Sequence, residues 1–243
     1  MIAEIVAAAS PFALAVVFAA YLVRGIAGFG SGLIAIPLLA LDHPLELVVP
    51  IVVLFDLVGS AGQAVRGRRA VAWHELVPLV PGALAGVGIA LWMLVTVDAE
   101  PLTRAFGAFI LAFAVYQVLP LPPLEGSRAW AFPAGLVGGS VGTAFGIGGP
   151  AYMMYLSARN LDKATVRSSF AAWFCVEGAV RIAGFLLIGA LGAHALPSLL
   201  AWAPAVVAGL VVGGRLHALA SPVAFRRAIS LVLLASGARL LFA

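Results

Sequence analysis

The chain has 243 residues, of which 63% are hydrophobic and only 10% are charged, and its mean hydropathy is strongly positive. Soluble globular proteins average about 45–50% apolar and about 25% charged residues, so this composition excludes that class and indicates an integral membrane protein. Because a membrane-crossing helix needs about 20 apolar residues, the length allows at most about eight or nine helices. The net charge of +4 does not indicate a nucleic-acid partner, since most of the chain lies in lipid.

Several missing motifs exclude other classes of function. One cysteine, Cys175, excludes an internal disulfide and a cysteine-based metal or iron–sulfur site. The sequence contains neither the GxxxxGK[ST] pattern of ATP-driven pumps nor the HExxH pattern of zinc proteases. Glu4 stands where a secretory leader would carry basic residues, so we expect no signal peptide. The sequence therefore predicts no metal site and no cofactor.

Eight apolar runs follow one another along the chain, and the short breaks between them carry most of the charges. They span about residues 11–41, 47–65, 76–97, 101–119, 129–158, 168–190, 195–214 and 223–243. Six of them have ordinary crossing length. The runs 11–41 and 129–158 contain about 30 residues each, which as straight helices would measure about 45 Å against a hydrocarbon core of about 30 Å.

Both long runs are interrupted by glycines, of which 11 of the 27 in the chain lie in two short stretches. These are Gly25, Gly28, Gly30 and Gly32 in the first run, and Gly135, Gly138, Gly139, Gly142, Gly146, Gly148 and Gly149 in the second. Because glycine is a poor helix former, the two glycine clusters predict that the helix is broken within each long run.

The two long runs also correspond to each other in sequence. An offset of 118 residues places Gly28 on Gly146, and an offset of 123 residues aligns the later helices. The chain therefore divides into two homologous halves, 1–123 and 124–243, which together form one transmembrane domain. Each half has one glycine-broken segment followed by three plain helices. The alternative is that any two halves of an eight-helix protein look alike.

The basic residues distinguish two topologies. If all eight runs crossed the membrane, the basic loops around Arg68 and Arg159 would lie on opposite sides, against the positive-inside rule. If instead the two broken runs are re-entrant hairpins, which enter and leave on one side, ten basic residues face the cytoplasm and only Arg104 lies in an outer loop. The ten are Arg66, Arg68, Arg69, Arg128, Arg159, Lys163, Arg167, Arg215, Arg226 and Arg227.

This charge bias favours the re-entrant topology. We predict an all-α polytopic membrane protein of two inverted repeats, each formed by a glycine-broken re-entrant hairpin plus three transmembrane helices. The alternative is eight straight crossings. Inverted repeats with broken helices at the midplane are the architecture of secondary transporters.

Two glycine-rich stretches resemble a known family. They are Gly25-Ile-Ala-Gly28-Phe-Gly30-Ser-Gly32-Leu-Ile-Ala-Ile-Pro37 and Gly142-Thr-Ala-Phe-Gly146-Ile-Gly148-Gly149-Pro150. Together they are similar to the paired signatures of the TauE/SafE family of sulfite-exporter-like permeases, and the likeness covers the whole chain. Ser31 and Pro150 each replace a glycine of the family pattern, and the proline at Pro37 is Tyr155 in the second half. The resemblance implies secondary transport of sulfite, organosulfonates or other small sulfur-containing or carboxylated anions.

The glycine clusters are also the predicted substrate site. A broken helix exposes backbone N–H groups, which in lipid must be buried in protein or line a polar cavity. The N-termini of half-helices attract anions because their N–H groups and partial positive charge point outward. The predicted binding residues are Arg24, Gly28, Gly30, Ser31, Gly32, Thr143, Gly146, Gly148, Gly149, Tyr152 and Arg181. The alternative is that the small residues only allow close helix packing.

Charged residues inside apolar runs cost about 2.5–3.5 kcal/mol each at a helix centre, so each needs a role. Arg24 precedes the first cluster and is the strongest candidate for a substrate cation, with a snorkelling arginine as the alternative. Glu177 and Arg181 have the i,i+4 spacing that places both on one helical face, as a structural ion pair or as part of the site. Asp56 and Glu177 are the candidate residues for ion coupling.

The sequence thus predicts a proton- or ion-coupled secondary transporter of a small anion, a multi-pass protein of the bacterial inner membrane. Its partners are the anionic substrate, the lipid bilayer and a coupling proton or ion. Substrate would bind between the two glycine clusters. The alternatives are an anion channel of similar build and an intramembrane enzyme, although no histidine and no GxSG motif lie inside the runs. The direction of transport, the coupling ion and the oligomeric state are left open.

Overall fold

The computed structural model describes residues 5, 9–28, 30–118, 126–216 and 233–241. Every regular element within these residues is helical. The helices are α1 (Pro11–Ala27), α2 (Ser31–Leu39), α3 (Leu45–Gly67), α4 (Trp73–Thr96), α5 (Ala99–Val118), α6 (Ala131–Phe145), α7 (Gly149–Ser157), α8 (Lys163–Leu187), α9 (Ala193–Arg215) and α10 (233–241). Part of the eighth predicted run, 217–232, lies outside the described residues.

The helices confirm that this is an all-α membrane protein. Among the described residues, four helices are long and apolar enough to cross a membrane, namely α3, α4, α8 and α9. Their apolar outer side chains include Trp92 and Leu187, which are 65% and 87% exposed. Side chains of this size are stable at such exposure in lipid rather than in water.

The predicted helix breaks are confirmed at both glycine clusters. The first long run is divided into α1 and α2, and the second into α6 and α7. Gly28 ends α1 and Gly146 ends α6, with backbone φ angles of 87° and 68°. These left-handed conformations are strained for a residue with a Cβ, so glycine stops both helices without that penalty.

The chain forms two compact units. The first consists of Met1–Val52, Val97–Leu121 and Leu191–Ala243. The second consists of Val53–Thr96 and Pro122–Ala190. Each unit therefore contains one glycine-broken helix pair together with helices from both halves of the sequence.

In the first unit, α1 packs tightly against α9. A Cβ at Gly25 would lie 2.9 Å from the Cα of Gly213. A Cβ at Gly209 would lie 2.8 Å from the backbone nitrogen of Leu22. Real Cβ atoms do not come so close to backbone, so the two helices meet at a distance that only glycine allows.

In the second unit, α4 packs against α6 in the same manner. A Cβ at Gly86 would lie 2.7 Å from the backbone nitrogen of Ser140, and one at Gly135 would lie 2.9 Å from that of Ala83. Glycines from both helices therefore form this contact. The close contacts with α4 run along α6 from Phe132 to Ser140.

Candidate functional site

In the second unit, α7 folds back along α6 instead of continuing it. A Cβ at Gly142 would lie 3.2 Å from the Cα of Gly148, and a Cβ at Gly148 would lie 3.0 Å from the Cα of Gly142. A Cβ at Gly138 would overlap the ring of Tyr152, fourteen residues later. In one straight helix, residues that far apart would be separated by about 20 Å. The glycines thus provide the room for the returning helix and its tyrosine.

A buried ion pair lies beside this helix break. Arg181 on α8 donates from Nη2 to Oε2 of Glu177 at 2.9 Å, and Tyr152 on α7 donates its hydroxyl to Oε1 of the same carboxylate at 2.9 Å. All three residues are at most 2% exposed. The predicted i,i+4 face therefore exists, and the structure brings Tyr152, Glu177 and Arg181 together.

The guanidinium of Arg181 also reaches the end of α6. Its Nη1 donates to the carbonyl oxygen of Gly142 at 2.6 Å, and the same oxygen accepts the N–H of Gly146 at 3.0 Å. Its charged carbon lies 5.9 Å from the ring centre of Phe174, within cation–π range. Arg181 is thus fixed at the break by contacts with two helices.

Among the described residues of this unit, three side-chain polar atoms are buried without a hydrogen-bond partner: Nε of Arg181, Oγ1 of Thr143 and Nε1 of Trp173. Buried donors are normally satisfied, so such atoms require an explanation, for which a bound polar ligand is one candidate. Thr143 is fully buried in α6, one residue after Gly142. Among the predicted residues nearby, Gly146 ends α6, Gly148 caps α7, and Gly149 is its first residue.

The first unit brings two of its predicted residues together. Arg24, near the end of α1 and 2% exposed, donates from Nη1 to Oγ of Ser31 at 2.9 Å. Ser31 is the first residue of α2, and Gly30, which precedes it, has a φ of 95°. Gly32 is buried inside α2. Because Arg24 is buried and bonded to Ser31, its guanidinium lies at the break between α1 and α2 rather than in solvent.

Asp56, the other predicted coupling residue, is 7% exposed on α3. No group of three His, Cys, Asp or Glu side chains in the described ranges has the proximity to hold a metal ion.

A third buried carboxylate, Glu75, was not among the residues predicted from the sequence. Arg159 donates to it from Nε at 2.9 Å and from Nη2 at 3.2 Å, Arg128 donates from Nε at 3.4 Å, and Tyr155 donates its hydroxyl at 2.8 Å. The hydrogen bonds to Glu75 raise the pKa of Arg159 above its ordinary value, so this cation stays charged. We call these four residues the Glu75 clamp. The sequence signal that could have identified Glu75 is the position of an acidic residue at the margin of the apolar run 76–97.

These observations define a polytopic helical membrane protein with buried charges at broken helices, a combination typical of membrane transporters. The chain belongs to the sulfite exporter TauE/SafE family, whose sequence pattern matches residues 13–240. It is 28% identical to the probable inner membrane transporter protein TsaS of Comamonas testosteroni over 197 aligned residues. The alignment covers 77% of this chain and 80% of that protein. No solved structure matches the chain significantly.

The family resemblance predicted from the glycine clusters is therefore confirmed. The family and this relative indicate a transporter rather than an enzyme. The predicted localisation, a multi-pass protein of the bacterial inner membrane, is confirmed by the relative and by the apolar helices.

Proposed function

We propose that this protein is a secondary transporter of a small sulfur-containing anion, with sulfite and organosulfonates as the leading substrates. The substrate class follows from the description of its family as sulfite exporters. A carrier for such an anion needs a buried positive charge and hydrogen-bond donors within the membrane.

The observation that carries the proposal is the buried Arg181 beside the break between α6 and α7. The guanidinium provides the positive charge, and its Nε has no hydrogen-bond partner among the described residues. The N-terminus of α7 lies at the same break, and its cap at Gly148 has no side-chain hydrogen bond. N–H groups at a helix start bind anions, so we assign Gly148 and Gly149 to the site, together with Gly146, which ends α6 at the same break. Thr143 and Tyr152 are the neighbouring hydroxyl groups.

The same chemistry recurs in the first unit. Arg24 places a buried guanidinium at the start of α2 through its hydrogen bond to Ser31. Gly28 and Gly30 give the backbone the two left-handed conformations that separate α1 from α2. We therefore assign Arg24, Gly28, Gly30, Ser31 and Gly32 to substrate binding as well.

The Glu75 clamp supports a re-entrant arrangement for the α6–α7 segment. Arg128 precedes α6 and Arg159 follows α7, yet both side chains contact the same carboxylate. In addition, the N–H of Gly126 donates to the carbonyl oxygen of Ala158 at 3.3 Å. Both ends of the segment thus lie together, as a hairpin that enters and leaves on one side requires.

Two features support the inverted-repeat hypothesis. The ends of α1 and α6, and both ends of α2 and α7, are related by the same offset of 118 residues found in the sequence. The packing is also reciprocal, because α9 of the second half packs on α1 of the first, whereas α4 of the first half packs on α6 of the second. An internal two-fold relation between halves produces paired contacts of this kind.

Transport in purified protein reconstituted into vesicles tests the proposed function. Uptake of labelled sulfite or 4-toluenesulfonate should saturate with concentration and should proceed uphill when a second ion gradient is imposed. An anion channel would instead conduct only downhill. We expect Arg181→Met to abolish uptake, whereas Arg104→Met, which removes an exposed arginine paired with Glu100, should retain it. Normal uphill uptake by Arg181→Met would contradict the assigned site.

A further inference from the structure

The Glu177 carboxylate accepts a hydrogen bond from the edge of the Arg181 guanidinium that best fits an oxyanion. A guanidinium presents Nε and one Nη side by side, and this edge binds two oxygens of a carboxylate or a similar group in parallel. In this structure, Nη2 on that edge donates to Glu177 while Nε has no hydrogen-bond partner. The opposite nitrogen, Nη1, is held by the carbonyl of Gly142. The edge is therefore half occupied by an internal anion.

The charges of this pair cancel while Glu177 is ionised. A substrate anion at the same edge would place two negative charges beside one positive charge, in a region where both protein residues are at most 2% exposed. Buried charges in unbalanced numbers are strongly unfavourable. A proton on Glu177 removes this conflict, because the neutral carboxyl no longer requires the guanidinium and the whole edge becomes free.

We propose that Glu177 and the substrate compete for the Nε–Nη2 edge of Arg181, so that each anion binds together with one proton taken up by Glu177. This inference rests on the proposed function. The proton comes from solution and bonds to a carboxylate oxygen, and Nη1 keeps its bond to Gly142 throughout. The site carries no net charge when it is empty and none when it holds a singly charged anion and the proton. Substrates with two acceptor oxygens in one plane fit this edge better than spherical anions such as chloride.

The neighbouring groups leave Glu177 as the proton acceptor of the pair. From α7 it faces Tyr152, and on its own helix it faces Arg181. The helices α3 and α4 present apolar side chains to α8 nearby, with Leu57 against Gly178 and Leu91 against Gly184. The turn that carries the exposed Arg68 and Arg69 packs against α8 as well. Asp56, one residue before Leu57, and Glu75, at the start of α4, are the other buried acids on described helices that contact α8, and both are tested separately.

Calorimetry on the purified protein tests the linkage. The probes are methanesulfonate and 4-toluenesulfonate, whose charge does not change between about pH 5 and about pH 8. If one proton accompanies each anion, the dissociation constant rises about tenfold per pH unit once Glu177 is ionised in the empty site. Titrations in two buffers of different ionisation enthalpy should give an uptake of about one proton. A dissociation constant independent of pH, with no proton uptake, overturns the inference.

Variants identify the group. Glu177→Gln imitates the protonated carboxyl, so it should bind the probe with the same affinity at all pH values and at about pH 8 at least tenfold more tightly than the unmodified protein. Asp56→Asn should retain the tenfold rise of the dissociation constant per pH unit. Glu75→Gln should retain it as well, and it is a matched control because Glu75 is also a buried acid that contacts arginine and tyrosine. If the dissociation constant became independent of pH in Asp56→Asn but stayed dependent on pH in Glu177→Gln, Asp56 would be the proton acceptor and the assignment to Glu177 would be wrong.

A further variant tests the edge itself. Arg181→Lys keeps the positive charge but loses the paired donors, so binding of both sulfonates should weaken at least tenfold while chloride competes more effectively. Equal sulfonate affinity in Arg181→Lys contradicts binding at the edge. If none of the sulfonates binds the unmodified protein, and sulfite and thiosulfate also fail, the proposed function itself is wrong. Binding without pH dependence, in contrast, leaves that function intact and removes only the proton.

Discussion

Two glycines, Gly28 and Gly146, end their helices in the left-handed region of backbone space, each with its N–H bonded to the carbonyl four residues earlier. Other amino acids adopt this conformation at a cost of about 1–2 kcal/mol. The two positions differ by the offset that relates the two halves of the sequence. A single residue type therefore determines where each broken helix stops, and the start of the next helix follows within three residues.

We predict that Gly146→Ala lowers the free energy of unfolding by about 1–2 kcal/mol because its φ of 68° is strained for alanine. The matched control is Gly88→Ala on α4, where an added Cβ meets no atom within 4 Å. That change should be neutral or stabilising by about 0.5–1 kcal/mol, since alanine favours the helix. Thermal unfolding in detergent, followed by fluorescence, measures both. Equal effects would show that conformation at Gly146 is unimportant.

The buried pair of Glu177 and Arg181 gives a second prediction at this scale. Arg181→Met alone leaves an uncompensated buried carboxylate and should cost about 3–5 kcal/mol, if the protein folds at all. The double variant Glu177→Gln/Arg181→Met should recover most of that loss, because no charge remains. Both variants should fail to concentrate substrate in vesicles. Uphill transport by the double variant would remove both residues from the mechanism.

At the scale of elements, the short helix α7 connects two buried carboxylates. Tyr152 and Tyr155 lie three residues apart on one face of α7, and their hydroxyls donate to Glu177 and Glu75. Three such residues span about 4.5 Å along the helix axis, so the two acids are contacted at different depths. The position of α7 along its axis is thereby fixed at both points, and a shift of α7 would have to break both hydrogen bonds.

The Glu75 clamp allows a matched comparison of two arginines. Arg159 makes two hydrogen bonds to Glu75 and its side chain is 20% exposed, whereas Arg128 makes one at 3.4 Å and is 57% exposed. We expect Arg159→Met to lower the free energy of unfolding by about 1–3 kcal/mol, and Arg128→Met by less than about 1 kcal/mol. Thermal unfolding of the two variants tests this order. The reverse order would show that Arg128 provides the main contact.

The elements differ in how far the sequence predicted them. Helix breaks and the Glu177–Arg181 pair were predictable because both depend on residues close together in the chain. The Glu75 clamp was not, because Arg128 and Arg159 lie 53 and 84 residues from Glu75 and come from separate elements. The fold-back of α7 was predicted as a re-entrant hairpin, although from the basic residues of distant loops and not from a local pattern. Spacing thus predicted neighbours on one helix, whereas neighbours between helices required the structure.

At the scale of the whole molecule, the re-entrant topology predicts where two loops lie. The change Cys175→Ser removes the single native cysteine. In that background, single cysteines at Arg68 and Arg159 should both react with a membrane-impermeant thiol reagent from the cytoplasmic side. Labelling is measured in right-side-out and inverted vesicles. If one position reacts from each side, the eight-crossing alternative is correct.

The close glycine contacts also have a consequence for how the chain is made. Because α1 packs on α9 and α4 packs on α6, each half of the sequence completes the packing of the other. A ribosome that has released only the first half has therefore inserted helices whose tightest partners do not yet exist. We expect residues 1–123 expressed alone to be degraded, and the same piece co-expressed with 124–243 to persist and to restore uptake. In such a protein, proteolysis removes a half that has no partner, and a gene divided between the two halves still encodes a protein that can assemble.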